Sequence, residues 1–377
     1  MSPITITGGR VLLPEGEHVA DLCIADGRIA ALDGATRGVR VDAAGLLVLP
    51  GIVDIHGDAF ERQIQPRPGV DFPVPLALRD TEAQLLANGI TTAFHGVTLS
   101  WEPGLRSPAM WRTLLDALAS GEWVCDMRVH LRWEAFNLDA LDTALDDIAA
   151  GRVHLLAFND HTPSILRKLA DPVAGAKFSE RAGMKLDAFR AMAERVAERA
   201  PSVPGGLDRI AVAARAAAIP IASHDDATIA ERDGFRRHGA RICEFPMAED
   251  VASAARAAGD AVVMGSPNVV RGRSHIGWAS AARLAEAGTC TVLSSDYYYP
   301  AMLQAGLALA APMGLAPAWS LVAAAPADAA RLADRGRIAE GLRADVVLVD
   351  PEVRRVVATI AGGRLGYLSA QGAARLG

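Results

Sequence analysis

Histidine and carboxylate side chains follow several short apolar runs in this sequence. The clearest are His56 and Asp58, which form a His-Gly-Asp motif, together with His224 and Asp296. Imidazole and carboxylate groups both suit divalent ions such as Zn, Mn or Fe. Alternate residues at the end of a strand point to one side, so His56 and Asp58 can reach the same ion. The sequence therefore predicts a divalent metal site held by these four residues.

Four further residues of the same types follow other apolar runs. Glu134 and His161 complete the predicted set of metal ligands. His130 and Glu244 are candidates of second rank. Glu244 is flanked by cysteine, phenylalanine and proline, so it is difficult to interpret as a solvated surface charge.

Three polar positions also have a purely structural interpretation. His95 lies within an apolar run. A buried histidine that fills the barrel interior and a metal ligand fit this position equally well. Asp225 and Asp226 either belong to the site or cap a helix that begins near Thr228.

Eight apolar runs alternate with Ala- and Leu-rich amphipathic segments between residues 51 and 337. This alternation predicts a parallel sheet, and eight units predict a closed (β/α)8 barrel of the TIM type, with its chemistry at the carboxyl ends of the strands. Between the fourth and fifth runs, one helix is predicted over Lys185–Ala200. The predicted strands are Ile52–Ile55, Thr91–Val97, Met127–Leu131, Val153–Phe158, Ile219–Ser223, Ala240–Phe245, Ala261–Gly265 and Thr291–Ser294.

Both ends of the chain have the pattern of short strands separated by turns. Near the N-terminus, Asp26 and Gly27 between apolar flanks predict a hairpin turn. Neither end has enough strands to form a stable sheet by itself. We therefore predict one composite β-sandwich from residues 1–50 and 338–377, with the metal-dependent barrel of residues 51–337 inserted into it.

The architecture and the ligand pattern resemble the amidohydrolase superfamily. Within it, four segments resemble the PhnM-like α-D-ribose 1-methylphosphonate 5-triphosphate diphosphatases: Pro50–Pro73, Phe158–Pro163, Met264–Gly277 and Leu293–Leu303. The most specific parts of these segments read PRPGVDFP and SPNVVRGRSH. The resemblance implies a metal-dependent hydrolase of phosphonate catabolism. Its substrate would be a small phosphorylated ribose phosphonate, cleaved to the 5-phosphate and pyrophosphate.

The sequence departs from the superfamily pattern at two positions. Asn159 stands near the place of the usual lysine on the fourth strand, and Glu244 lies on the sixth strand, where a second histidine is usual. Bridging of two ions by a carbamylated lysine is therefore not expected, and the number of ions, one or two per chain, stays open. On general chemical grounds, Asp296 would orient a bound water and accept its proton as the catalytic residue.

A triphosphate carries roughly four negative charges and needs cationic partners. Arginines lie in Gly- and Pro-rich segments after the first and seventh runs, and loops after strand seven of such barrels often bind phosphate. Arg62 and Arg132 are weaker candidates. The predicted substrate-binding residues are Arg67, Asn268, Arg271, Arg273, Ser274 and His275.

Two other functions stay open at this point. Membership of the superfamily alone favours hydrolysis of a C–N bond in a cyclic amide or a deaminase-type substrate. The missing lysine and the missing strand-six histidine favour a non-catalytic barrel that binds a phosphorylated ligand.

Composition narrows the remaining classes of function. The 377 residues have a formal net charge of -6 and no Lys/Arg run, so nucleic-acid binding is not expected. No run of about 18 apolar residues avoids charge or proline, so no membrane span is expected. Four widely spaced cysteines and an N-terminus without a signal-peptide pattern predict a cytoplasmic location. A homo-oligomer is compatible with this composition.

Overall fold

The chain folds into two sheets with helices around one of them, described over residues 2–34, 37–272 and 280–377 in a computed structural model. The strands of these residues are β1 (Ile4–Leu13), β2 (Gly16–Ala25), β3 (Arg28–Leu32), β4 (Val39–Asp42), β5 (Leu47–Pro50), β6 (Ile52–Gly57), β7 (Ile90–Leu99), β8 (Asp126–Glu134), β9 (Leu155–Asn159), β10 (Ile221–His224), β11 (Ile242–Glu244), β12 (Ala261–Gly265), β13 (Val292–Ser294), β14 (Val346–Asp350), β15 (Arg355–Ala361) and β16 (Arg364–Leu368).

Strands β6 to β13 form the barrel. Each pairs in parallel with the next strand in chain order. The first and last strands then meet, because Gly57 on β6 forms a bridge with Asp296 beyond β13. All eight predicted runs overlap these strands, and the predicted (β/α)8 barrel is confirmed.

Apolar side chains fill the barrel interior below its mouth. Val53, Ile55, Phe94, Leu155 and Val263 belong to one buried cluster that reaches the last helix of the barrel segment. Because both faces of a parallel barrel sheet are covered, its strands appear in the sequence as continuous apolar runs. The interior is therefore a packed core, and the polar side chains collect at the strand ends.

Helices surround the barrel strands. Several have clear start signals, such as Ser107 before α3 and the capping box of Thr228 and Glu231 at α9. The helices of the described residues are α1 (Glu61–Ile64), α2 (Val74–Ala87), α3 (Pro108–Ser120), α4 (Leu141–Ala149), α5 (Thr162–Leu169), α6 (Pro172–Ala182), α7 (Leu186–Ala197), α8 (Val203–Ala216), α9 (Ile229–Arg237), α10 (Glu249–Ala257), α11 (Ser266–Arg271), α12 (Ala281–Glu286), α13 (Ala301–Met313), α14 (Leu315–Ser320), α15 (Ala324–Ala329) and α16 (Ala370–Ala373).

The connection between β9 and β10 is longer than a single crossover helix. The predicted helix over Lys185–Ala200 corresponds to α7, but α5, α6 and α8 also lie in this connection. Phe189 on α7 packs against Trp101 beyond β7, with ring centroids 5.7 Å apart. The indole N–H of Trp101 donates to Oγ1 of Thr162 at 2.9 Å. The added helices are thus fastened to the loop that follows the second barrel strand.

The second sheet combines strands from both ends of the chain, in the order β16-β15-β14-β5-β1-β2-β3. It branches at β1, which pairs in parallel with β4 over its first residues and with β5 further along. Asp26 and Gly27 form the predicted turn between β2 and β3, with φ values of 51° and 77°. The domain limits at residues 50 and 338 stay a prediction.

No helix in the described part of the chain is long and apolar enough to cross a membrane. The four cysteines are buried and free.

Candidate metal centre at the barrel mouth

The carboxyl ends of the barrel strands bring the predicted ligands to one mouth. Strand β6 shifts its register against β7 between Asp54 and Gly57, next to His56, and such bulges often re-aim side chains at active sites. The side chains at the mouth lie on a barrel strand or in the segment that follows it: on β6 (His56) and after it (Asp58), on β8 (His130, Arg132 and Glu134), after β9 (His161), on β10 (His224) and after it (Asp225), on β11 (Glu244) and after β13 (Asp296).

His56, His224 and Glu244 form a buried group whose ligand atoms lie within 4.8 Å of one another. Nδ1 of His56 lies 3.0 Å from Oε2 of Glu244. The rings of His56 and His224 have centroids 5.2 Å apart. Burial lowers the pKa of His56 well below its ordinary value, so its imidazole is neutral and able to bind a metal. Burial also raises the pKa of Glu244, which shows the cost of an uncompensated charge there.

His130 extends this group. Its Nδ1 lies 3.0 Å from the carbonyl oxygen of Ile55, so Nδ1–H donates and Nε2 keeps a lone pair. Burial lowers the pKa of His130 to about 3, which keeps the ring neutral. Nε2 lies 3.7 Å from Oε2 of Glu244. Across the described residues, neither Nε2 of His130 nor Oε1 of Glu244 has a hydrogen-bond partner.

These unpartnered atoms test whether the residues fit a metal. A buried polar atom without a partner costs free energy, and native proteins contain few of them. A divalent ion accepts lone pairs from imidazole nitrogen and carboxylate oxygen together. His56, His130, His224 and Glu244 therefore fit a divalent ion.

His161, His224 and Asp225 form a second group of converging ligand atoms, closer to solvent. Oδ2 of Asp225 lies 3.2 Å from Nδ1 of His224 and 3.7 Å from Nε2 of His161. His224 therefore belongs to both groups. The capping interpretation of Asp225 is wrong, because the cap of α9 is the side chain of Thr228.

Asp226 does not cap this helix either. Its carboxylate accepts a hydrogen bond from Ser223 at 2.5 Å and lies 3.5 Å from the buried guanidinium of Arg232. The same guanidinium donates to Asp260 at 2.7 Å. Asp226 thus belongs to a buried ionic network behind His224, between β10, α9 and the start of β12.

Glu134, a predicted ligand, pairs with His161. Oε1 of Glu134 lies 2.5 Å from Nδ1 of His161, and Oε2 accepts the His161 backbone N–H at 3.2 Å. Burial opposes the charge on each group, but their attraction lowers the pKa of Glu134 and raises the pKa of His161 to about 9. Within the described residues, Glu134 lies outside both groups of converging ligand atoms.

Asp58 and Asp296 face each other across the closure of the barrel. The Asp58 backbone N–H donates to the Asp296 carbonyl at 2.9 Å, and the Asp296 N–H donates to the His56 carbonyl at 3.0 Å. Burial raises the pKa of Asp58 to about 6 and that of Asp296 to about 7. The negative charge of Glu61 adds to the shift of Asp58, and that of Asp58 adds to the shift of Asp296. Neither carboxylate belongs to the two groups of converging ligand atoms found in the described residues.

Buried Asp54 holds this closure in place. Its carboxylate accepts hydrogen bonds from the Ser295 N–H at 3.0 Å and the Ser295 hydroxyl at 2.5 Å. It also accepts from the His56 N–H at 3.2 Å. One carboxylate thus fixes the backbone beside His56 and beside Asp296.

The predicted substrate-binding residues are described in part. Arg67 and Arg271 are exposed, in the segments that follow β6 and β12. The guanidinium of Arg271 donates to the Tyr297 hydroxyl at 3.4 Å, and Arg62 donates to the Tyr297 carbonyl. Oδ1 of Asn268 accepts the Ala281 backbone N–H at 3.0 Å. The predicted positions Arg273, Ser274 and His275 lie outside the described residues.

Two residues have a larger place in the site than the sequence suggested. Glu244, ranked second, joins His56 and His224, and Asp225 joins His161 and His224. Their position at the end of an apolar run was the available signal. The backbone at Asp225 has a φ of 59°, and this left-handed turn, which directs its side chain, is not visible in the sequence.

No family model matches the chain. It is 34% identical over 319 residues to the α-D-ribose 1-methylphosphonate 5-triphosphate diphosphatase of Escherichia coli (strain K12), an alignment that covers 82% of this chain and 84% of the relative.

Solved structures share the fold at low sequence identity. A β-aspartyl dipeptidase from Fervidobacterium islandicum AW-1 has a TM-score of 0.65 and 13% identity, covering 99% of this chain and 98% of the other. An adenosine deaminase from Xanthomonas campestris with bound zinc has a TM-score of 0.65 and 14% identity, covering 98% and 93%. A dihydropyrimidinase from Brevibacillus agri NCHU1002 has a TM-score of 0.61 and 14% identity, covering 98% and 95%. The chain therefore shares its fold with these proteins, and it is a hydrolase that belongs to the family of the α-D-ribose 1-methylphosphonate 5-triphosphate diphosphatases.

Proposed function

We propose that the chain hydrolyses α-D-ribose 1-methylphosphonate 5-triphosphate to the 5-phosphate and pyrophosphate, with a divalent metal at the barrel mouth. The observation that carries the substrate is the 34% identity to the named diphosphatase over most of both chains. The proposal of a metal rests on the two groups of converging ligand atoms that share His224.

His56, His224 and Glu244 would hold the ion, with His130 beside them, and the group of His161, His224 and Asp225 would hold a second ion if there is one. Zinc, manganese and iron all suit this mixture of imidazole and carboxylate. When bound, such an ion supplies Lewis acidity and an activated water at neutral pH. Asp58, placed in the predicted ligand set, lies beside the group and would complete it from β6.

Asp296 would accept the proton of the attacking water. Burial and the neighbouring carboxylate of Asp58 raise the pKa of Asp296 to about 7. A general base works best when its pKa is near the operating pH. Two backbone hydrogen bonds, to His56 and from Asp58, hold Asp296 next to the metal candidates.

The loops after β6 and β12 would bind the phosphates. Arg62 and Arg271 both donate to Tyr297, so arginines from the two loops meet at one residue of the mouth. Arg67 lies in the same first loop. Arg271 and Arg67, with Asn268 and the predicted positions at 273–275, would neutralise the charges of the leaving pyrophosphate.

A pyrophosphate-release assay distinguishes this function from cleavage of a C–N bond. The purified metal-replete protein should release pyrophosphate from the ribose triphosphate and leave cyclic amides such as dihydropyrimidines intact. The reverse result would establish the amidohydrolase alternative. Inactivity with both, together with metal-free protein after reconstitution, would favour the non-catalytic barrel.

A substitution then connects the activity with the site. His56→Ala should lose metal and pyrophosphate release together, because His56 contributes a ligand atom to the buried group. His238→Ala is the matched control, since His238 lies beyond α9 and faces Asp208 at 3.3 Å. A metal-replete and fully active His56→Ala protein would refute the assignment. The cytoplasmic location and a homo-oligomeric state stay predictions.

A further inference from the structure

Arg132 places a permanent positive charge among the candidate metal ligands. It lies on β8 and is 5% exposed. One terminal nitrogen lies 3.2 Å from Nε2 of His224, and the other lies 3.6 Å from Oδ2 of Asp58. A guanidinium stays charged at every pH at which proteins fold. This cation therefore occupies the gap between two strands that contribute candidate metal ligands.

The chain is shaped to accommodate this side chain. Gly96 on β7 lies beside Arg132, and a Cβ atom at Gly96 would come within 3.2 Å of Cδ of Arg132. Gly96 has no positive φ, so its backbone conformation does not require glycine. A larger residue at position 96 would therefore occupy space that the side chain of Arg132 needs.

The guanidinium is also oriented. Asn159, with its amide oxygen turned towards β8, accepts from Nε of Arg132 at 3.2 Å. This contact leaves the two terminal nitrogens directed at Asp58 and His224. Two parallel N–H donors match two oxygens of one phosphoryl group better than they match a carboxylate edge and a ring nitrogen on different strands.

A divalent ion and a guanidinium this close repel each other unless an anion lies between them. If the substrate were a neutral amide, it would bring no anion, and only carboxylates of the mouth such as Asp58 would offset the repulsion between the ion and the arginine. In an enzyme for a triphosphate, the substrate supplies the anion. The buried position of Arg132 thus matches a reaction in which phosphoryl oxygens enter the metal site.

We propose that Arg132 is a further catalytic residue, which binds the nonbridging oxygens of the phosphoryl group that is attacked. This inference rests on the proposed function. As the water oxygen bonds to phosphorus and the bond to the departing pyrophosphate breaks, negative charge grows on these oxygens. The guanidinium exchanges Asp58 and His224 for them and stabilises that charge, and the water proton passes to Asp296.

The test compares Arg132→Met and Arg132→Lys with Arg128→Met, a control on the same strand. Arg128 lies four residues earlier, near the other end of the barrel, where it pairs with Asp126 at 2.9 Å. The measurements for each protein are the metal content, kcat and KM for the triphosphate, and the affinity for inorganic phosphate by calorimetry, with and without metal. Inorganic phosphate stands in for the phosphoryl group that is attacked.

We expect Arg132→Met to keep its metal, to lose about 100-fold or more in kcat, and to bind inorganic phosphate about tenfold more weakly, in the metal-free form as well. Arg132→Lys should recover only part of the loss, because lysine keeps the charge but not the planar pair of donors. Arg128→Met should have the same kcat and KM as the wild type when activity is calculated per folded molecule. Gly96→Ala should give a smaller loss in kcat than Arg132→Met, since it displaces the arginine without removing it.

Other outcomes overturn the inference. Loss of metal in Arg132→Met would make the arginine a positioning residue for His224. Unchanged kcat and unchanged affinity for inorganic phosphate would exclude a role of Arg132 in the reaction. If the wild-type protein does not cleave the triphosphate, the proposed function fails by itself. In that case, weaker binding of inorganic phosphate by Arg132→Met would still support phosphate contact, and equal binding would refute it.

Discussion

Buried charges at the two ends of the barrel are arranged in different ways. At the amino end, Arg335 donates to Asp126 at 2.5 Å, and Asp126 also accepts from Arg128 at 2.9 Å. Arg343 donates to Asp345 at 2.9 Å close by. Each of these charges faces an opposite charge. At the carboxyl end, Glu134 pairs with His161, but the charge of Asp58 raises the pKa of Asp296. In the described residues, Nε2 of His130 and Oε1 of Glu244 lack hydrogen-bond partners.

The pKa values of the carboxylates show the same contrast. Burial disfavours the charge of Asp126, but Arg128 and Arg335 outweigh it and lower its pKa. At the mouth, burial and like charges raise the pKa of Asp58 to about 6 and that of Asp296 to about 7. At the amino end, the protein itself supplies a partner for each of these buried charges, whereas the mouth requires a cation and a ligand. Active sites commonly sacrifice stability in this way.

The largest expected effect lies at the mouth. His224→Ala removes the residue that both ligand groups share, so we expect metal loss and a fall of about 1,000-fold or more in kcat/KM, roughly 4 kcal/mol. The metal-free protein should change its free energy of unfolding by less than about 1 kcal/mol, because the imidazole faces a site that is already unsatisfied. Elemental analysis, kinetics and urea unfolding measure the three quantities. Strong destabilisation of the metal-free protein would contradict the contrast between the two ends.

The amino end should respond in the opposite way. Arg335→Met breaks a largely buried ion pair and should lower the free energy of unfolding by about 3 kcal/mol, while each folded molecule keeps its metal and its activity. Arg337→Met is the matched control. Arg337 pairs with Asp328 on the surface, with the two side chains 42% and 56% exposed, so its loss should cost no more than about 0.5 kcal/mol. Equal effects of the two substitutions would show that burial does not distinguish these pairs.

The sequence predicts the barrel well because the fold depends on a strong local signal. Buried parallel strands are continuous apolar runs, and all eight were visible. The strand ends then indicated His56, His224 and Asp296 by position alone. Helices α5, α6 and α8 were not predicted, because their place beside the second loop depends on contacts such as Trp101 with Thr162. Those contacts join residues about sixty positions apart.

The finer geometry of the site was beyond a reading of the sequence. Which carboxylate faces which histidine depends on left-handed turns after three barrel strands, where Asp225, Phe245 and Asp296 have φ values of 59°, 52° and 54°. Such conformations are unusual for residues other than glycine and cluster at functional sites. The pairing of Glu134 with His161 likewise depends on the three-dimensional structure. Sequence position therefore identifies candidates, and the backbone decides among them.

A smaller effect is expected at the exposed rim of the mouth. Arg271→Ala should lower kcat/KM for the triphosphate about tenfold, near 1.4 kcal/mol, because a charged hydrogen bond to an anion is lost at a position open to solvent. Metal content should not change. Arg271→Lys should restore part of the loss. If Arg271→Ala and Arg67→Ala both leave the kinetics unaltered, these arginines are solvated loop residues, and the predicted phosphate contacts of the two loops are wrong.

The smallest effect concerns the pH dependence of the amino end. Because the pKa of folded Asp126 lies below its ordinary value, its ion pairs add stability that is fully present above about pH 4. This contribution is lost as the pH falls through the folded pKa, while Arg335 stays charged throughout. The difference in free energy of unfolding between the wild type and Arg335→Met should therefore shrink by about 1 kcal/mol between pH 5 and pH 3. Urea unfolding of the metal-free proteins at both pH values measures it. A constant difference would mean that Arg335 stabilises neither of the ionised carboxylates that it contacts, Asp126 and Asp334. Its neutral contact with Thr92 and its packing would then remain.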